Sequence, residues 1–340
     1  MKVLFYSTRS YDKISFRERL VHFPEVNVEF IESPLNINTV ELAAGYDAVC
    51  IFVNDNASTK IVQRLHELGV KHIALRCAGY NNVDYKTANK LGMLVTRVPA
   101  YSPESVAEHA LALLMSINRR IHQAYTRLKL DNNFDLTGLS GFCLCGKTAG
   151  IIGYGRIGQC FGKICRGLGM EVIAYDPYYK GNDVELVTLD ELYSRSDVIS
   201  LHTLYNEQTH HMINKEAIDK MKQDVILINV ARGGLIDTKA LIEGLKAGKF
   251  FGVGLDVFEG EENLAFINHE NNILMKANTQ DLLAFRNVII TSHQAFLTDV
   301  ALYEIAHHVL NALINNDPFK KIGGKIIWIK YLMNPIELKI

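Results

Sequence analysis

Long apolar runs are absent: no stretch of the 340 residues could span a bilayer, and the start Met1-Lys2-Val3-Leu4-Phe5-Tyr6-Ser7 has no secretory signal pattern. A membrane protein is therefore not expected, and the expected location is cytoplasmic. Net charge is also missing, since 36 Lys plus Arg against 37 Asp plus Glu leave −1. Without a basic stripe the chain offers no footprint to phosphate backbones or anionic lipid, so neither nucleic acid nor membrane is an expected partner. Cysteine is sparse and unpatterned. Cys50, Cys77, Cys143, Cys145, Cys160 and Cys165 show no paired metal-ligand spacing, so free thiols and no metal are expected.

What is there is a chain too long for one hydrophobic core, which predicts two domains. Short β-rich runs alternate with helical stretches. Val3 to Ser7, Asn27 to Ile31, Asp47 to Phe52, His72 to Arg76 and Leu94 to Val98 read as strands. A long helix is predicted from Ser102 to about Tyr125, with Ser102 as its cap and Pro103 in its first turn. Its Ala- and Leu-rich course suggests burial between domains or subunits, hence a homodimer or larger homo-oligomer. The alternation then restarts with Thr148 to Ile152, Glu171 to Tyr175, Asp197 to Leu201, Val225 to Val230, Phe251 to Val257 and Asn287 to Thr291, six strands in all. A last helix is predicted over Asp299 to Asn315. Apolar strands alternating with helices imply parallel, doubly wound sheets in an α/β protein.

Gly153-Tyr154-Gly155-Arg156-Ile157-Gly158 lies where the first strand of the second set turns into a helix. In that context the glycines permit a tight turn, a close approach of pyrophosphate to backbone, and close helix packing. Asp176 ends the next strand, 18 residues after Gly158. Its carboxylate can accept hydrogen bonds from ribose hydroxyls and would repel a 2′-phosphate, so the expected cofactor is NAD in a Rossmann-type domain.

Three polar residues follow strands of the second set: Arg232 after Val225 to Ala231, Glu261 after Gly254 to Gly260, and His293 after Val288 to Ser292. Open parallel sheets place their ligands at such strand ends. An arginine fork suits a carboxylate. A histidine suits proton transfer near neutral pH, and a neighbouring carboxylate favours its charged form. Glu259, Glu261 and Glu262 compete for that neighbouring position, and the local pattern does not separate them.

Val230-Ala231-Arg232-Gly233-Gly234-Leu235-Ile236-Asp237, Gly254-Leu255-Asp256-Val257-Phe258-Glu259 and Ser292-His293-Gln294-Ala295-Phe296 together resemble the D-isomer-specific 2-hydroxyacid dehydrogenase family. The resemblance runs from Val3 to about Ala312. The separations of 29 and 32 residues between Arg232, Glu261 and His293 are similar to those of its D-lactate branch. It implies two doubly wound domains, a Rossmann NAD-binding domain over 102–298 inserted into a flavodoxin-like substrate domain over 1–101 plus 299–340. It further implies reversible, NADH-dependent reduction of pyruvate to the D-hydroxy acid. Arg232 would grip the substrate, His293 would be the acid/base, and Glu261, five residues beyond Asp256, would support it. Asp256, Val230 and Ala231 resemble positions near the cofactor. Arg76 to Asp84 looks like the family's substrate loop, with the amides of Ala78 and Gly79 receiving the carboxylate. Phe52, Tyr101 and Phe296 would crowd the side-chain pocket. Two stretches depart from the pattern: Leu201-His202-Thr203-Leu204-Tyr205-Asn206 lacks the usual proline, and Phe319 to Ile340 does not resemble the family's short polar ending.

Overall fold

The computed structural model describes residues 1–261 and 277–315. The atypical ending at 319–340 and the competing Glu262 lie outside the described residues. The chain divides into two compact units, one of Met1–Tyr101 with the segment from Asp299 onward, the other of Ser102–Thr298.

The first unit opens β1 (Lys2–Phe5), α1 (Ser10–Leu20), β2 (Asn27–Phe30), β3 (Ala48–Ile51), α2 (Thr59–Glu67), β4 (His72–Leu75), α3 (Tyr85–Lys90) and β5 (Leu94–Arg97). All strand pairs are parallel and the order is β2-β1-β3-β4-β5, the doubly wound arrangement of flavodoxin-like sheets. β3 and β4 are buried at every position, as strands covered on both faces must be. α2 covers one face with Ile61, Val62 and Leu65.

The second unit starts with α4 (Pro103–Asn118), where Ser102 Oγ accepts the Ser105 amide at 3.1 Å and Pro103 occupies the first turn. The single helix predicted to Tyr125 is in fact two. Arg120 adopts φ 51° and the chain restarts as α5 (Ile121–Asp131), a break no glycine or proline announces. α4 buries Ala107, Ala110, Leu113, Leu114 and Ile117 inside this unit.

Then come β6 (Thr148–Ile152), α6 (Arg156–Gly167), β7 (Glu171–Tyr175), β8 (Glu185–Leu186), α7 (Leu189–Arg195), β9 (Val198–Leu201), α8 (Lys215–Lys220), β10 (Val225–Asn229), α9 (Thr238–Lys246), β11 (Phe250–Leu255), α10 (Ala277–Leu283) and β12 (Val288–Ile290). Their sheet is parallel, in the order β12-β11-β10-β9-β6-β7-β8. That is the Rossmann order 3-2-1-4-5-6 with a seventh strand added. The predicted count of six omitted β8, whose two residues are both exposed, and included the extra strand β12. Along β10, Val225 and Leu227 join one apolar core while Ile226 and Ile228 join the other, so both faces are sealed. α4 reaches the sheet because β11 presents glycine: a Cβ on Gly252 would stand 2.4 Å from Ile117, and one on Gly254 2.9 Å from the same side chain. The chain ends its described course in α11 (Asp299–Asn315), which packs on α1, β4 and β5 of the first unit.

Candidate active site

The glycine loop is built by three different constraints. Gly153 has φ +91° and lies against the Thr203 backbone, where a Cβ would stand 2.6 Å from its nitrogen. Gly158 packs on the loop itself, since a Cβ there would sit 2.1 Å from the Gly153 carbonyl oxygen. Gly155 meets nothing within 4 Å. That opening, at the N-terminal end of α6 where first-turn amides lack helical partners, fits a pyrophosphate resting on backbone. Arg156 is exposed and Ile157 half-buried in the first turn of α6. Asp176 accepts the Tyr154 amide at 2.8 Å and the amides of Tyr178 and Tyr179 at 2.8 and 3.2 Å, so it ties the glycine loop to the turn after β7. Tyr154, the second residue of the glycine loop, turns its side chain inward. Its ring is fully buried and its hydroxyl accepts from Arg166 at 3.2 Å, so it is core, and its amide is committed to Asp176.

The ends of β10, β11 and β12 hold the polar residues. At β10, Asn229 is fully buried, its side chain donating to the Arg232 carbonyl at 2.9 Å and accepting the Ala231 amide at 3.0 Å. It staples the turn Val230-Ala231-Arg232, with Val230 buried and Ala231 and Arg232 half-buried. Arg232 Nη1 donates to the Ala231 carbonyl at 2.6 Å. Gly233 lets this turn lie on the next strand's extension, for a Cβ would be 2.2 Å from the Phe258 carbonyl carbon. Neither Asn229 nor Gly233 stands out in the sequence, where each reads as an ordinary strand-end residue.

Three carboxylates at the end of β11 separate cleanly. Asp256 is fully buried. Its carboxylate accepts Thr291 Oγ1 at 2.5 Å and the amides of Gln294 and Ala295 at 2.9 and 2.8 Å, with His109 of α4 at 3.3 Å. Burial pushes its pKa up, but hydrogen bonds from His109, Thr291 and those amides outweigh it and hold the acid below the ordinary carboxylate value. Asp256 thus braces the loop after β12, which the sequence did not reveal. Glu259 pairs with His211 at 2.8 Å. Glu261, 8 % exposed, pairs with His293 Nδ1 at 3.1 Å. His293 has φ 53°, a strained conformation for a side-chain-bearing residue. Its own amide donates to the Asp256 carbonyl at 2.9 Å, so three successive amides, 293 to 295, hold the strain in place. Phe296 is buried just beyond.

The proline-lacking loop after β9 leaves His202 beside Ser200 Oγ at 2.9 Å, with Nδ1 buried and unpartnered. Burial holds its pKa down to about 3, so the ring is neutral at pH 7.

Within the first unit, Phe52 is buried under the Arg76 guanidinium, 4.8 Å from the ring centroid. Asn82 donates to the carbonyls of Phe52 and Asp55, both at 2.8 Å, tying the 76–84 loop to the end of β3. Ala78, Gly79 and Tyr101 are half-buried. Among the described residues, nothing accepts the amides of Ala78 or Gly79, which leaves two adjacent backbone donors of the kind that bind anions.

Residues 111–295 match the family model "D-isomer specific 2-hydroxyacid dehydrogenase, NAD binding domain". The chain is 46 % identical over 319 residues to the D-lactate dehydrogenase of Escherichia coli K12, covering 93 % of this chain and 96 % of that one. The solved apo-structure of the E. coli enzyme superposes with TM-score 0.83. A 2-hydroxyacid dehydrogenase homolog of Haemophilus influenzae is 46 % identical over 96 % of this chain and 98 % of its own length. A solved structure described as the pyruvate reductase of Chlamydomonas reinhardtii has TM-score 0.86 at 40 % identity, covering 92 % of this chain and 95 % of that one.

Proposed function

The chain belongs to the D-isomer specific 2-hydroxyacid dehydrogenase family, which makes it an NAD-dependent oxidoreductase, and we propose that its reaction is the reversible reduction of pyruvate to D-lactate. The observation that carries this is the His293–Glu261 pair at 3.1 Å in the dinucleotide-binding unit. When bound, NADH supplies the hydride that reaches the substrate's carbonyl carbon. Every other task falls to side chains and backbone of this chain.

His293 donates the proton that the carbonyl oxygen needs as it becomes a hydroxyl, and Glu261 at Nδ1 holds the ring in the orientation from which it can give it. Nε2 is the atom assigned to the substrate oxygen. Arg232 binds the substrate carboxylate and polarises the carbonyl, a task its permanent charge and planar fork suit. The amides of Ala78 and Gly79 are assigned to the substrate carboxylate. Gly155 and the α6 N-terminus take the pyrophosphate, and Asp176 takes the adenine ribose, favouring NAD over its 2′-phosphorylated form. Phe52, Tyr101 and Phe296 are the aromatic residues assigned to the substrate's side chain, favouring a group about the size of methyl. None of the six cysteines forms a disulfide, and no described helix is long and apolar enough to cross a membrane. A cytoplasmic homodimer or larger homo-oligomer is the form proposed, in keeping with cysteines outside disulfides.

The test is NADH oxidation by the purified protein with pyruvate, phenylpyruvate and 2-oxoisocaproate, followed by chiral analysis of the product. We expect kcat/KM for pyruvate to lead by about tenfold or more, the scale on which a small pocket rejects added carbons, and the product to be the D-isomer. A lead for the bulkier acids would reassign the substrate. Inactivity on all three would sink the reading.

A further inference from the structure

The two amides that await a carboxylate belong to consecutive peptide groups, and both groups are held from behind. A trans peptide is planar, with its C=O and N–H antiparallel, so whatever fixes one fixes the direction of the other. The Cys77 carbonyl accepts the amide of Val98 at 3.2 Å, which turns the Ala78 N–H the opposite way. The Ala78 carbonyl accepts Nη1 of Arg97 at 2.6 Å, which does the same for the Gly79 N–H. Residues 97 and 98 are adjacent at the end of β5, so one edge pins both peptides and aims both donors away from itself. Backbone serves at Val98. At the second peptide a side chain is required, and Arg97 is the residue that reaches it.

The rest of the loop leaves little slack. The Arg97 guanidinium lies 5.1 Å from the centroid of the Tyr80 ring, and Cys77 Sγ donates to the Gly79 carbonyl at 3.2 Å. A charged donor on a carbonyl also polarises the peptide, which strengthens its N–H as a donor to an anion.

We propose that Arg97 is a positioning residue for substrate binding, its hydrogen bond to the Ala78 carbonyl aiming the Gly79 amide at the carboxylate of the 2-oxo acid. This rests on the assignment of the Ala78 and Gly79 amides given above. Arg97 acts through the peptide and touches no reacting atom.

Steady-state kinetics of Arg97→Met, with pyruvate and NADH varied separately, test it. KM for pyruvate should rise about tenfold, the scale of one charge-assisted hydrogen bond, while kcat and KM for NADH stay within about twofold, as for lost uniform binding. Arg97→Lys, which keeps a donor, should recover part of the loss. If Met fails to fold, as judged by NADH fluorescence titration, Arg97→Gln carries the same expectation because it is too short to reach the carbonyl. A bare charge attracting pyruvate through solvent would be screened, so the variant-to-wild-type KM ratio should hold between about 0.05 and 0.5 M salt. A ratio that collapses toward one overturns the hydrogen-bond role, as does an unchanged KM for pyruvate or a fall in kcat alone. Wild-type protein inactive on every 2-oxo acid would overturn the functional reading and this one with it. Active wild type with indifferent variants would overturn this one alone.

Discussion

Asp256, Glu259 and Glu261 are close in sequence and carry the same functional group, yet geometry gives each a different partner. Asp256 braces the His293 loop, Glu259 engages His211, and Glu261 meets the His293 ring. Their substitutions should therefore separate. His293→Ala should lower kcat by about 10²- to 10⁴-fold, the usual contribution of a positioned acid/base. Glu261→Gln keeps a hydrogen-bonding side chain but loses the carboxylate, and should cost about ten- to a hundredfold in kcat, on the scale of removing a partner that orients its histidine. Glu259→Gln should leave kcat within about threefold, since its half-exposed carboxylate pairs with His211 and not with His293 and such a pair contributes little. Steady-state turnover at pH 7 measures all three, and equal losses at 259 and 261 would contradict the division of labour. The sequence alone left these glutamates unseparated, because nothing local distinguishes one loop carboxylate from another. Family resemblance pointed to Glu261. The glycine motif likewise placed Tyr154 in the loop without revealing that its ring is buried: a motif gives positions, and side-chain direction depends on packing the motif does not contain.

Elements follow the same logic at larger scale. Most of the eleven strands were legible because buried parallel strands read as short apolar runs, as in Val225–Asn229 and Val198–Leu201, buried at every position. β8 was missed because Glu185 and Leu186 are both exposed and carry no period to detect. The break at Arg120 was missed because a left-handed residue without glycine, Asn or Asp leaves no compositional trace. The strand-to-helix turn at β6–α6 was legible, and its glycines can be told apart experimentally. Gly155→Ala adds a methyl to open space at φ −72°, so the protein should fold with stability within about 1 kcal/mol of wild type. Its methyl would occupy the place assigned to pyrophosphate, and Kd for NADH should rise about tenfold or more, as when a binding pocket is overfilled. Gly158→Ala instead drives a methyl to 2.1 Å from a backbone oxygen, which no side-chain rotation relieves. It should cost about 3 kcal/mol or more, at the upper end for overpacking. Thermal melts and NADH titrations of the two variants check both halves, and a Gly155→Ala protein with unchanged NADH affinity would contradict the proposed pyrophosphate site.

At the scale of the whole molecule, each compact unit encloses a histidine that burial keeps neutral, and this links folding to pH. His72 of β4 is 3 % exposed, its Nε2 hydrogen-bonds with Thr96 Oγ1 at 2.8 Å, and its Nδ1 is buried without a partner. Burial lowers its pKa to about 4, from an ordinary 6.5. The unfolded chain therefore binds a proton at this site more readily than the folded one across that window. The sign follows from linkage: the stability tied to a neutral His72 is complete above pH 6.5, drains away as pH falls, and is exhausted near pH 4. His202 in the second unit, held near 3 by burial, acts in the same direction. From the His72 shift alone, acidification from pH 7.5 to 5 should cost about 2 kcal/mol, at roughly 1.4 kcal/mol per unit of displacement over the part of the window crossed. His72→Leu removes both the titration and the orphaned Nδ1, so it should flatten this dependence whatever it does to stability at pH 7.5. Urea unfolding at the two pH values, followed by circular dichroism, measures the difference. If the variant lost as much stability on acidification as the wild type, the acid sensitivity would have to come from groups other than His72.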